Sequence, residues 1–306
     1  MITPSVWALA SLLLVAAMAP LMPALAARTT AFLTGRRGAP VLQPYRDLGK
    51  LMGKGAVYSG TTTWVFRLAP AGVLGSGMLA VCLLPLDGRA ALVGFPGDMI
   101  AFAGLLALGR LLLTLAALDT GSSFEGMGAS RELGFSIMTE PALFMCLAVL
   151  AIVTGALSLG SAFGAPLAAG WAQAPASLAM VGVSLFVILL AEASRGPVDD
   201  PATHLELTMV HEVAILDHGG PDLGMLLYGS AVKFALFGAM VVLLALPRAG
   251  WPPAAATAML APGLAVVAIG VGVIESIMAR LRLVQVPQLL AGAAALAALG
   301  VILLLR

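Results

Sequence analysis

Charge is scarce in this chain. Only 10% of its 306 residues are Asp, Glu, Lys or Arg, against about 25% in soluble domains. Thiols are scarcer. Cys82 and Cys146 stand far apart with no Cys-x-x-Cys pattern, so the chain lacks the four thiolates of a Cys-ligated iron–sulfur cluster. Both are expected to be buried structural thiols. A net charge of +1 argues nothing about nucleic acid, and no nucleic-acid partner is expected. No linker divides the chain and no repeat of fixed period shows, so residues 1–306 are expected to form one transmembrane domain.

What the chain has is apolar length. Hydrophobic residues make up 60%, and runs of 18 or more recur, each able to cross a hydrocarbon core of roughly 30 Å. Eight spans are expected: about 3–27, 63–85, 97–118, 135–160, 175–193, 224–246, 258–279 and 284–305. The fold class is therefore an all-α integral membrane protein, a bundle of about eight helices. Ala24-Leu25-Ala26 resembles a signal-peptidase site, but no Lys or Arg precedes the first apolar run, and a signal peptide needs a basic start. An uncleaved first helix with its N-terminus outside is expected.

Basic residues agree with that orientation. The 28–62, 119–134, 194–223 and 280–283 connections hold Arg28, Arg36, Arg37, Arg46, Lys50, Lys54, Arg131, Arg195, Arg280 and Arg282; the opposite side holds Arg89, Arg248 and Arg306. Lys and Arg concentrate on cytoplasmic loops, so these connections are expected in the cytoplasm, and the 161–174 loop outside.

Three groups of residues carry chemistry. The segment Thr34–Leu51 includes Arg36, Arg37, Gln43, Arg46, Asp47 and Lys50; it reads as a docking surface for a peripheral subunit or as basic anchors only. Pro44 suits a helix start there. In 119–140, Ser130 before Arg131-Glu132-Leu133 looks like a helix start. Glu132 and Glu140 lie eight apart, about two turns and so roughly one face. Glu140, next to Pro141, reads as part of an internal acidic chamber or as a hydrogen-bonded helix-end carboxylate.

The third group is Glu192 to Asp222. Glu192 ends an apolar run, and Arg195, Asp199, Asp200, Glu206, Glu212, Asp217 and Asp222 follow. A carboxylate at the membrane edge is costly and marks ion or proton traffic. His204, His211 and His218 recur every seven residues, not the i, i+4 of a metalloprotease helix, so no metal site is expected. Histidines here suit protonation near neutral pH; a solvated acidic loop is the alternative. Arg110, Lys233 and Glu275 fall inside spans and should face the bundle interior, paired. They read as an ion path or as structural buried pairs.

The run Ala191-Glu192-x-x-Arg195-x-Pro197-x-Asp199, with Glu206 and His211-Glu212, resembles the subunit 1 family of NADH dehydrogenase, the membrane anchor of respiratory complex I. Arg131-Glu132-Leu133-Gly134-Phe135, Glu140-Pro141 and Gln43-Pro44-Tyr45-Arg46-Asp47 look more like its hydrogenase branch, the type of formate hydrogenlyase subunit 4 and hydrogenase-4 component C. The resemblance spans essentially the whole chain. It implies a non-catalytic subunit of a bacterial inner-membrane oxidoreductase complex. The chain would join a cytoplasmic arm of hydrogenase large and small subunits and ferredoxin-like iron–sulfur proteins to antiporter-like membrane subunits. No cofactor is expected in this chain; the [NiFe] centre and clusters would sit in the partners. The relay would run through Glu132, Glu140, Glu192, Arg195, Asp199, Glu206, His211, Glu212, Lys233, Glu275 and Arg110, with Arg195 holding Glu192 or a loop acid ionised. The Asp199-Asp200-Pro201 and Thr203-His204 departures from the complex I loop put quinone use in doubt. A quinone-chamber subunit or a passive anchor without a relay are the alternatives.

Overall fold

A computed structural model of the chain describes residues 6–89, 91–196, 198, 211–278, 281–282 and 285–305. Asp199 and Glu206 lie outside them. Every long element among the described residues is an α-helix, and seven of these are long and apolar enough to cross a membrane. They are α4 (Trp64–Cys82), α5 (Asp98–Asp119), α6 (Ser123–Thr154), α9 (Pro175–Glu192), α10 (Gly220–Ala245), α12 (Leu260–Ile277, continuing from the short α11, Pro253–Ala258) and α13 (Val286–Leu304).

The expected first span is broken. α1 (Val6–Met18) and α2 (Leu21–Leu33) meet at a bend of 43°, and as one bent span they bring the total to eight. The cause is local. Pro20 has no N–H to donate, so the Ala16 carbonyl one turn earlier loses its helical partner. Two tyrosines donate into the bend. The Tyr228 hydroxyl donates to the Ala16 carbonyl at 3.0 Å, and the Tyr45 hydroxyl donates to the Ala17 carbonyl. Tyr45 comes from α3 (Gln43–Met52), a short amphipathic helix with Pro44 in its first turn.

One further expectation needs correction. The helix expected to start at Ser130 starts at Ser123, preceded by Ser122 in extended conformation, so α6 is 32 residues long. Gly128 lets the early part pack closely on another segment. A Cβ there would lie 2.7 Å from the Ala214 backbone nitrogen. Without one, the 3-10 turn Val213–Ile215 packs directly on the helix and buries its first turns. The 161–174 loop is also structured, as α7 (Leu159–Ala162) and α8 (Ala165–Gln173).

α10 is the axis of the bundle, packing on α3, α4, α9 and α12, with most of its residues buried. α4 pairs with α5, α6 with α5, α9 and α13, and α2 with α12. A polar clasp sets one neighbour pair: the Thr63 N–H and hydroxyl donate to the Asp119 carboxylate at 2.7 and 2.9 Å, tying the start of α4 to the end of α5. α5, α6, α9 and α10 thus surround a common interior at the end of the bundle where α9 finishes.

Candidate functional site

Four charged side chains, one from each of these helices, meet in that interior. The Arg110 guanidinium of α5 divides between two acids. Its Nη2 donates to Glu140 Oε1 of α6 and its Nη1 to Glu192 Oε1 of α9, both at 2.5 Å. The other Glu192 oxygen, Oε2, faces Lys233 Nζ of α10 at 3.8 Å. Arg110, Glu192 and Lys233 are 5%, 9% and 8% exposed. The chain of contacts reads acid, base, acid, base, and its formal charge is zero. That neutrality is what makes four ionised groups tolerable in an apolar bundle, where an unpaired charge would cost several kcal/mol.

Burial of the cluster follows from small residues around it. Gly109, Ser76 and Gly77 stand beside Lys233 around a void of ≈ 10 Å³, about one water. On the other flank a second void of the same size is lined by Glu132, Ser136, Thr139 and Glu192. Glu132 lies within electrostatic reach of Arg110. The expected placement of Glu132 and Glu140 on one face of α6 accords with this.

Arg195 is not paired with Glu192, one of the two kinds of partner expected for it; the loop acids Asp199, Asp200 and Glu206 lie outside the described residues. After α9 ends, Ser194 takes the left-handed conformation (φ 48) and turns the chain toward α12. Arg195 Nη1 then lies 3.7 Å from Glu275 Oε1, with its guanidinium 5.9 Å from the centre of the Phe234 ring. Thr30 of α2 donates to Glu275 Oε2 at 3.0 Å. Glu275, Arg195 and Thr30 form a second polar cluster beside the first, bridged by the Lys233-Phe234 step of α10.

His211 and Glu212 belong to a third region. With Asp47, Leu48, Arg195 and Phe234 they line a mostly apolar cavity of ≈ 280 Å³ between α2, α3 and α10. The α3 residues form a local surface network: the Gln43 amide donates to Asp47 at 2.8 Å and Lys50 lies 3.9 Å from it, while Arg36, Arg37 and Arg46 are exposed. Cys82 is half-buried and Cys146 buried, on separate helices; this pair does not fit an iron–sulfur cluster.

Three functional-looking groups escaped the sequence, and a fourth, His218, was read only as one of three protonatable histidines. Thr30 and Thr139 carry no local signal in apolar helices. Glu125 is fully buried, accepting the Asp217 N–H at 2.8 Å; its place in the first turn of a helix starting at Ser123 would have flagged it. His218 stacks on Phe66 at 3.8 Å and 6°, and burial pushes its pKa below the usual value.

The family model for NADH dehydrogenase matches residues 6–305. The chain belongs to the NADH dehydrogenase family. This family member is 31% identical over 287 residues to formate hydrogenlyase subunit 4 of Escherichia coli (strain K12), covering 89% of this chain and 90% of the relative. It is also 31% identical over 242 residues to hydrogenase-4 component C of the same strain, covering 79% and 75%. An NADH-quinone oxidoreductase subunit of Rubrobacter xylanophilus (strain DSM 9941 / JCM 11954 / NBRC 16129 / PRD-1) is 30% identical over 181 residues, 56% of this chain and 52% of that one. Among solved structures, a chain of the membrane-bound sulfane sulfur reductase, an archaeal respiratory membrane complex, superposes with a TM-score of 0.80 at 19% identity, covering 97% and 98%. With its apolar helices, this member of the NADH dehydrogenase family is a multi-pass membrane protein.

Proposed function

We propose that the chain is the membrane-anchor and coupling subunit of a complex I-like, group 4 [NiFe]-hydrogenase of the formate hydrogenlyase or hydrogenase-4 type. It would sit in a bacterial inner membrane with the loops around α3 and residues 193–219 in the cytoplasm. The observation that carries this reading is the Glu140–Arg110–Glu192–Lys233 chain across four helices. Its relatives in formate hydrogenlyase and hydrogenase-4 supply the setting. Hydrogenase large and small subunits and ferredoxin-like iron–sulfur subunits dock on Arg36, Arg37, Gln43, Arg46, Asp47 and Lys50. Antiporter-like subunits continue the path in the membrane. The redox centres belong to those partners.

In this reading the network works by exchange of charge. Glu192 faces Lys233 across 3.8 Å. A proton arriving on Glu192 through the Glu132 side removes its charge, and Lys233 then gives a proton onward. Arg110 stays charged and retains Glu140, so the net charge inside the bundle returns to zero. Arg195, Glu275, His211, Glu212 and the loop residues Asp199 and Glu206 would transmit the state of the docked arm to this relay.

Glu192→Gln tests the proposal in the purified complex. Hydrogenase turnover with co-purifying hydrogenase subunits, but ion translocation lost in proteoliposomes, is the expected result. Normal translocation overturns the relay and leaves an anchor. A second reading, a quinone-chamber subunit, is favoured by the apolar ≈ 280 Å³ cavity with Asp47, Arg195, His211 and Glu212 at its wall. Pockets of that kind suit an apolar ligand with a polar head. Quinone-dependent turnover abolished by Leu48→Trp would favour it.

A further inference from the structure

The void beside Glu192 is built from two carboxylates and two hydroxyls. Glu132, Ser136 and Thr139 of α6 line it on one side and Glu192 of α9 on the other. Positions 132, 136 and 139 are i, i+4 and i+7, one stripe of a helix, and α6 packs on α9. Phe135 and Val198 close the remaining wall. The left-handed Ser194 turns the chain after α9, and Val198 beyond it is 2% exposed.

The two hydroxyls keep capacity to bind something more. The Ser136 hydroxyl donates to the Glu132 carbonyl at 2.9 Å. The Thr139 hydroxyl has two acceptors in reach, the Ser136 carbonyl at 3.3 Å and the Glu192 carboxylate. A hydroxyl carries one proton and two lone pairs. Thr139 therefore serves one acceptor at a time, and both hydroxyls can still accept. A void of ≈ 10 Å³ holds about one water, which needs two to four polar partners. Four are present.

Depth gives the site a direction. At 1.5 Å per residue the 32 residues of α6 span about 48 Å, about 18 Å more than a hydrocarbon core of roughly 30 Å. With the Thr154 end at the opposite surface, the excess falls at the Ser123 end. Glu132 is nine residues from Ser123, about 14 Å along the helix, and so lies within the excess. It is half-buried, whereas Ser136, Thr139 and Glu192 are buried. At Glu192, Oε1 is bonded to Arg110, while Oε2 has Lys233 at 3.8 Å, beyond hydrogen-bond length. Oε2 is the oxygen open to a proton.

We propose that this void binds one water molecule that carries protons from Glu132 to Glu192, and that Thr139 is the residue that positions it. The inference rests on the relay reading above. In the step, the O–H bond of protonated Glu132 breaks as its proton joins the water. The water passes a different proton to Glu192 Oε2, Glu132 is left as a carboxylate, and the water is restored. Thr139 donates to Glu192 while that acid is ionised and turns to the Ser136 carbonyl once it is neutral.

The test uses the assembled complex. In proteoliposomes, Thr139→Val should lower the ions translocated per hydrogen turned over by about tenfold, the worth of one hydrogen bond to a charged group. Thr139→Ser, which keeps the hydroxyl, should restore most of it. Normal coupling in Thr139→Val, or a loss in Thr139→Ser as large as in Thr139→Val, overturns the positioning role. Electron cryo-microscopy of the parent complex should show one water within about 3.2 Å of Thr139 Oγ1 and of Glu192. An empty void overturns the site whether or not the variants assemble. Density there that depends on added sodium ions would assign the four groups to a cation and overturn the water. Glu192→Gln separates the two readings. If it too pumps normally, the relay itself fails; if it does not pump while Thr139→Val does, the relay stands without this water.

Discussion

Glu192 and Lys233 stand 3.8 Å apart, and the carboxylate oxygen that faces the lysine is the one Arg110 does not use. Arg110 is therefore the member that two acids share, and Lys233 the member that only one acid holds. The two cations should not be equivalent to the fold. Arg110→Met leaves both Glu140 and Glu192 without their shared partner, a change that costs about 3–5 kcal/mol for a buried pair. Lys233→Met leaves Glu192 still bonded to Arg110 and should cost less. Thermal unfolding of the purified chain in detergent checks the order; a larger loss for Lys233→Met would show that the network is centred elsewhere.

The second cluster makes a prediction through backbone geometry. A Cβ on Gly272 would lie 2.5 Å from the Ala26 carbonyl oxygen and 2.7 Å from Thr29 Cβ, whereas one on Gly270 meets nothing within 4 Å. Gly272→Ala must push α2 and α12 apart, at about 1–3 kcal/mol, and separate Thr30 from Glu275. Gly270→Ala, two residues away on the same helix, should stabilise by roughly 0.5–1 kcal/mol because the helix loses a flexible residue. Equal effects at the two positions, read as midpoints of unfolding, would contradict the close crossing.

The helices themselves were legible because lipid demands about 20 apolar residues in a row, and that demand is written locally. The charged residues inside them were legible for the same reason: Arg110, Lys233 and Glu275 stand out against apolar runs. Which of them meet was not legible. Arg195 is three residues from Glu192, and proximity in sequence suggested a pair, but Ser194 turns the chain and delivers the arginine to α12. Glu192 instead finds an arginine 82 residues away. Likewise, the first turns of α6 pack on the 3-10 turn that Gly128 admits, a contact far along the chain. The broken first span was hidden differently: Pro20 and Pro23 were visible, but the tyrosines that make the break tolerable come from α3 and α10.

Those tyrosines can be tested separately. Tyr228→Phe leaves the Ala16 carbonyl in the bend without its donor, and Tyr45→Phe does the same at Ala17. An unsatisfied buried acceptor costs about 1–3 kcal/mol. Tyr228 is the more enclosed and its loss should cost more, whereas Tyr45 is 38% exposed and water can replace its hydroxyl. Hydrogen exchange of the 17–22 backbone amides should rise in Tyr228→Phe more than in Tyr45→Phe. Unchanged exchange in both variants would mean that the bend holds without them.

His218 sets a dependence on pH. Its ring stacks on Phe66, and burial lowers its pKa from the ordinary histidine value of 6.5, with Asp222 and Asp217 opposing the shift. The unfolded chain therefore binds a proton at a pH where the folded chain does not, so stability rises with pH in that window. The histidine's contribution is fully present above about 6.5 and is lost as pH falls from there toward the depressed native value. Replacing the ring with one that cannot be protonated removes this term while keeping the stack. His218→Phe should match the parent at pH 7.5, and should lose less thermal stability than the parent as the pH is taken below about 6.5. Other carboxylates titrate equally in both proteins, so the difference between the two curves isolates His218. Parallel curves would mean that the ring is protonated as readily in the folded chain as in the unfolded one, and that its stack on Phe66 does not exclude the proton.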